Sequence, residues 1–240
     1  MEHVLKNPLP DAPRPIAFSV IRVPFFLEPD YDESKPFIES NRDRLVKKWG
    51  GIRGWEEQKR RHDLKGRGMK AGIPHFNLDR LAANTMASHR LIQHLGKKYG
   101  LMVSEAVYDR LNVYYFVEGH SLNDRPRLAA VVADLLADLL KEKSPSESEL
   151  LSFLNGHEGR KEITRSLQTL RQLGIHSIPK FIIEGKTVVD GAAESEVFVD
   201  VFRTIERRGS IHGGPVFGDI LRLPDDVVAR GSHTPESIAM

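Results

Sequence analysis

The sequence predicts an α/β fold, a mixed sheet whose strands are separated in the chain by a long all-helical insertion. Three observations carry that expectation. Near the amino end, Ile16-Ala17-Phe18-Ser19-Val20-Ile21-Arg22-Val23 is a β-branched, mostly apolar run closed by Pro24, the pattern of a buried strand. From Ser34 to Leu173 apolar residues recur at helical spacing. Two short runs, 180–183 and 187–190, then face each other across Glu184-Gly185-Lys186 and read as an antiparallel hairpin.

Taken in order, residues 1–14 hold prolines at 8, 10 and 13 and read as an extended lead-in. Residues 15–33 contain the first strand and its apolar continuation, Phe25-Phe26-Leu27, which Glu28-Pro29-Asp30 breaks. The insertion, 34–173, opens with a helix from Pro36, suited to a first turn, to Gly50-Gly51. A charged helix follows from Trp55 to Lys65. Next comes Leu81 to Tyr99, with Ala87, Leu91 and Leu95 on one face and Gly100 as its stop. Helices at 104–118, 126–141, 147–154 and 158–173 complete the insertion. Residues 174–208 supply the hairpin and an amphipathic helix through Val197, Val201 and Ile205. Residues 209–240, punctuated by Gly and Pro, read as a partly ordered tail.

Composition narrows the function classes. A formal charge of +2 with 28% charged residues argues against a dedicated nucleic-acid binder. No apolar run approaches the roughly 18 residues that span a bilayer, and residues 1–14 carry no secretory pattern. The expectation is a cytoplasmic protein with neither nucleic acid nor membrane as partner. With no cysteine in the chain, a disulfide, a Cys-ligated zinc and a Cys nucleophile are excluded. His89 and His94 are five apart, not the i, i+4 spacing of a helical zinc pair, so no metal is expected. Between Lys47 and Lys70 nine Lys/Arg stand against three acids, interleaved with Trp49 and Trp55. Such a stretch can touch RNA or an acidic membrane surface, but a solvated helical face is the commoner meaning. Gly66, Gly68 and Gly72 have the wrong spacing for a phosphate loop, and no nucleophile elbow is present.

The most informative segment is Gly174-Ile175-His176-Ser177-Ile178-Pro179-Lys180-Phe181. A helix ends at a glycine and a proline stands at the mouth of a strand, the position a residue without an N–H can occupy. A cis Ile178–Pro179 bond would kink the chain and turn backbone groups of Ile178 to solvent, where an extended substrate could pair with them.

These residues, with the downstream Val189-Asp190-Gly191-Ala192, resemble the cis-proline loop, hairpin and closing helix of DsbA-like thioredoxin-fold proteins. The closer likeness is to the FrnE-type branch, related to 2-hydroxychromene-2-carboxylate isomerases and kappa-class glutathione transferases. Three further motifs agree in order and spacing: Pro24-Phe25-Phe26; Asn84-Thr85 with Ser88-His89-Arg90-Leu91; and Tyr115-Phe116-Val117-Glu118-Gly119. The likeness covers about residues 15–208. It implies a thioredoxin-like mixed sheet, oxidoreductase ancestry and a groove formed by Ser177, Ile178 and Pro179 with Asn84 and His89. It also implies a thiol-containing small molecule or an extended peptide as partner. Glutathione would then be a substrate, with no cofactor required, and a homo-oligomer stays open.

The family's first strand and its Cys-x-x-Cys helix have no counterpart in the 15 residues before Ile16. No catalytic residue is therefore assigned, because dithiol exchange needs a thiolate. The expectation is a redox-inactive chain, a truncated version of a longer protein, with an opened sheet. Two alternatives stand beside it. One is a glutathione-dependent transferase or isomerase, with Ser177 as the candidate hydroxyl. The other is a non-catalytic module for extended peptides. For Asn84, His89 and Arg90 the structural reading is local backbone bonding, satisfaction inside the insertion and surface pairing, respectively.

Overall fold

The computed structural model describes residues 1–73 and 75–238. In chain order its first elements are α1 (Glu2–Lys6), β1 (Glu39–Ser40), α2 (Asn41–Lys48), α3 (Ile52–His62), α4 (Leu64–Lys70) and β2 (Leu81–Ala82). Then come α5 (Met86–Tyr99), α6 (Leu101–Asn112), a π-helical turn (Val113–Val117), α7 (Arg125–Leu140), α8 (Glu147–Asn155) and α9 (Arg160–Gln172). The chain continues through β3 (Lys180–Ile183), β4 (Thr187–Asp190), α10 (Ser195–Arg208) and α11 (Asp225–Arg230). The class is α/β, with two separate two-stranded antiparallel sheets, β1–β2 and β3–β4.

The chain divides into two compact units. One comprises Met1–Phe25, Ile92–Ala106 and Glu158–Met240; the other comprises Phe26–Leu91 and Val107–His157. Within the second, α7 and α8 pack through buried Leu128, Val132, Leu136, Leu150 and Leu154. Local chemistry fixes where these helices start. Asp124 accepts from the Arg127 N–H ahead of α7, and Ser146 with Glu149 forms a reciprocal capping box ahead of α8.

The first unit is built around a cluster of Leu101, Leu170, Ile175, Phe217, Leu221, Leu223 and Val227. Ile182 of β3 and the apolar side chains of Ile21, Val23 and Phe25 pack against it. The tail expectation is therefore corrected: residues 217–228 provide much of this core, because their apolar side chains have no other place to leave water. The lead-in is also corrected. Residues 2–6 form a helix whose Val4 and Leu5 are buried. Farther on, the Leu9 N–H donates to the buried Glu206 carboxylate at 2.9 Å.

Among the described residues the expected mixed sheet does not form. Residues 16–23 carry no strand, and their ladder pairing among the described residues is limited to a bridge between Phe18 and His233. The neighbouring backbone groups use side chains instead: the Val20 N–H donates to Ser232 Oγ, and the Arg22 carbonyl accepts from Gln93. A run of apolar residues becomes a strand only beside another strand, and none pairs with it among the described residues.

Several boundaries inside the helical region also shift: the helix expected from Leu81 begins at Met86, and the one expected at 104–118 begins at Leu101 and gives way to the π-helical turn after Asn112. Residues 39–40 pair with 81–82, so α2 begins only after the Ser40 cap, whose hydroxyl accepts from the Asp43 N–H. The charged helix is two helices, α3 and α4, broken at Asp63, which takes a left-handed conformation with φ of 40°. No helix among the described residues is long and apolar enough to cross a membrane.

Candidate functional site

The hairpin falls at the residues the sequence predicts, with Phe181 opposite Val189 and Ile183 opposite Thr187. Its turn needs positive φ at both central residues, and Glu184 (47°) and Gly185 (71°) supply it. A side chain at 185 would also collide with Gly214, since a Cβ there would stand 2.6 Å from that carbonyl oxygen.

The hydrogen-bond phase of β3 follows from one bond. The Gly191 N–H donates to the Pro179 carbonyl at 2.9 Å, so position 179 faces β4. Antiparallel ladders alternate, so Phe181 and Ile183 exchange bonds with β4. Lys180 and Ile182 point both N–H and C=O to the opposite side. No strand pairs there, and no other bond from those four groups forms among the described residues. β3 is an edge strand with one full hydrogen-bonding repeat unpaired among the described residues, the arrangement onto which an extended chain adds.

The side chains around this edge divide by face. Phe181 lies 4.8 Å, edge-on, from Phe198 of α10, and Phe202 continues the aromatic row to Phe18. Ile182 is on the other face, anchored in the apolar cluster. Lys180 is neutralised by Asp190 at 2.5 Å, so its cation does not repel an approaching strand in the way an unpaired edge lysine does. Ile178 is 48% and Phe181 39% exposed, leaving apolar surface beside the free ladder groups.

The hairpin tip is held by Glu184, whose carboxylate accepts from the Arg208 guanidinium and from the His212 backbone N–H. Burial alone would raise this carboxyl, but the His212 N–H and Arg208 outweigh it and hold the group below its ordinary value.

The expected site residues divide between the two units. Ser177, Ile178 and Pro179 form an exposed loop at the start of β3, and the Ile178–Pro179 bond is cis. The Ser177 hydroxyl has no hydrogen bond among the described residues, and it precedes a strand, not a helix. Asn84, in the other unit, is buried. Its Nδ2 donates to the Tyr31 carbonyl at 2.8 Å and its Oδ1 accepts from the Met86 N–H at 2.9 Å, which fastens the start of α5. His89 is half-buried with its ring 5.1 Å from Phe26.

Arg90 corrects the surface-pairing expectation. It is buried, donating to the Phe153 and Leu154 carbonyls at the end of α8 and stacking on the Phe153 ring. Orphan carbonyls at a helix C-terminus explain why a cation belongs there.

A separate concavity of about 270 Å³ is lined by residues that include Arg110, Tyr114, Glu118, His120 and Arg127. Its cations are already engaged, Arg110 with Glu118 at 2.8 Å and Arg127 with His120 Nδ1 at 2.8 Å. No group of three metal-ligating side chains occurs among the described residues. The groups sequence reasoning missed are the Lys180 and Ile182 amides and carbonyls, which only the ladder register reveals. No protein-family model matches the chain, and no curated protein matches it.

Proposed function

We propose that the chain is a non-catalytic module of thioredoxin-like, oxidoreductase ancestry that captures an extended polypeptide along β3. The observation that carries the binding reading is the open edge: paired donors and acceptors at Lys180 and Ile182 with apolar side chains at Ile178 and Phe181 beside them. Main-chain bonds would give affinity without sequence, and the flanking apolar surface would select alternate side chains of the guest. The ancestry rests on the resemblance of 15–208 and on the hairpin-then-helix order of β3, β4 and α10. Without a thiol, the chain holds its partner and leaves the partner's sulfur chemistry unchanged.

The test uses fluorescence anisotropy with labelled eight-residue peptides that alternate β-branched and polar residues. Lys180→Pro removes an outward N–H without touching the β4 ladder. It is expected to weaken binding at least tenfold, whereas Lys180→Ala, which keeps the N–H, retains it. Equal binding by the proline variant would reject the edge as the site. Tight binding of glutathione without peptide would favour the transferase reading at Ser177. Turnover in an insulin-reduction assay would contradict the non-catalytic assignment.

A further inference from the structure

The segment from Lys47 to Lys70 carries nine Lys/Arg and three acids, a net charge of +6, while the whole chain is +2 and the remainder is therefore −4. Structure separates these cations from ordinary surface charge in two ways. Lys47 pairs with Glu39 and Lys59 with Glu56, but Lys48, Arg53, Arg60, Arg61, Lys65, Arg67 and Lys70 have no ion-pair partner among the described residues. The same short stretch exposes large aliphatic side chains: Ile52 at 69%, Met69 at 58% and Leu64 at 46%, with Ile73 and Trp49 also exposed.

A solvated face accounts for the cations but not for the aliphatics. Exposed apolar side chains are unremarkable singly, but five within 25 residues among seven unpaired cations match a surface that meets hydrocarbon and negative charge together. The buried side of the segment is already committed, since Trp55 of α3 and Gly68 of α4 face inward. The left-handed break at Asp63 divides the segment into two short helices, each presenting exposed apolar and basic residues.

We propose that residues 47–73 dock the protein onto an anionic lipid surface. Leu64, Met69 and Ile52 enter the headgroup boundary, and Arg60, Arg61, Lys65, Arg67 and Lys70 neutralise lipid phosphates and carboxylates. RNA would use the cations and the tryptophan ring but would leave the aliphatics in water.

The experiment is flotation of the full chain with vesicles of phosphatidylcholine alone or with 30% phosphatidylserine, in about 50 mM and 500 mM salt. Binding is expected only with phosphatidylserine at low salt, because each cation contributes about fivefold and the attraction is screened within a Debye length. Arg60→Glu with Arg61→Glu should lower partitioning at least 20-fold. Leu64→Ser with Met69→Ser should lower it at least tenfold at unchanged charge. Circular dichroism confirms that both variants keep the fold, as expected for exposed positions. Equal partitioning onto neutral vesicles, no partitioning, or an apolar variant that binds like wild type would overturn the proposal. So would binding to single-stranded poly(U) RNA with no binding to vesicles.

Discussion

Replacing Leu221 by Ala tests whether residues 209–238 are structural. Leu221 is fully buried and packs with Phe217, Leu223 and Val227, and that cluster supports Ile182 of β3. Truncation removes about three methylene equivalents, roughly 2.4 kcal/mol of transfer free energy at about 0.8 each. The unfilled space adds to that, giving an expected loss of about 3–5 kcal/mol. For a chain of this length each kcal/mol moves a melting midpoint by roughly 2–4 °C, so a fall of roughly 6–20 °C is expected by calorimetry. Val216→Ala, at a position 39% exposed, serves as the control and should stay within about 0.5 kcal/mol. The variant should also loosen peptide binding, because the same cluster seats the edge strand. A loss below about 1 kcal/mol would refute the claim that the tail builds the core.

Glu184→Gln tests the hairpin tip through pH. The folded carboxyl is held below its ordinary value, so its contribution is present above the unfolded pKa of about 4.3 and lost as pH falls through the folded value. Urea titrations should show the wild type ahead of the variant at pH 7 and the gap closing below about pH 4. A gap constant with pH would remove Glu184 from the account. Lys180→Pro should leave the melting midpoint within a few degrees of Lys180→Ala, since the proline removes an N–H that β4 never used.

Parts of the fold were legible in the sequence because local pattern and final structure agree. The hairpin and α7 to α10 fall within two residues of their expected bounds, where capping residues, helical period and turn chemistry coincide. The failures have physical causes. Residues 16–23 have strand composition, but a strand is a relation between two chains of backbone, and its partner is absent from the described residues. The apolar residues from Phe217 to Val228 sit among Gly and Pro without a period, so burial there was invisible until other elements closed over them. Asp63 takes a left-handed conformation that a non-glycine residue rarely adopts, and a continuous helix through it was the natural reading. At the site, the Ser177–Pro179 loop was readable from its proline. Which ladder groups stay open was not, because a one-residue slip of register exchanges the inward and outward sets.

Amide hydrogen exchange at β3 addresses the open edge most directly. In the free protein the Lys180 and Ile182 amides are expected to exchange well ahead of Phe181 and Val189, which the hairpin protects. Saturating peptide should slow those two amides by at least tenfold while leaving Phe181 unchanged. Protection of Lys180 and Ile182 in the free chain, or no slowing when peptide is bound, would contradict the account.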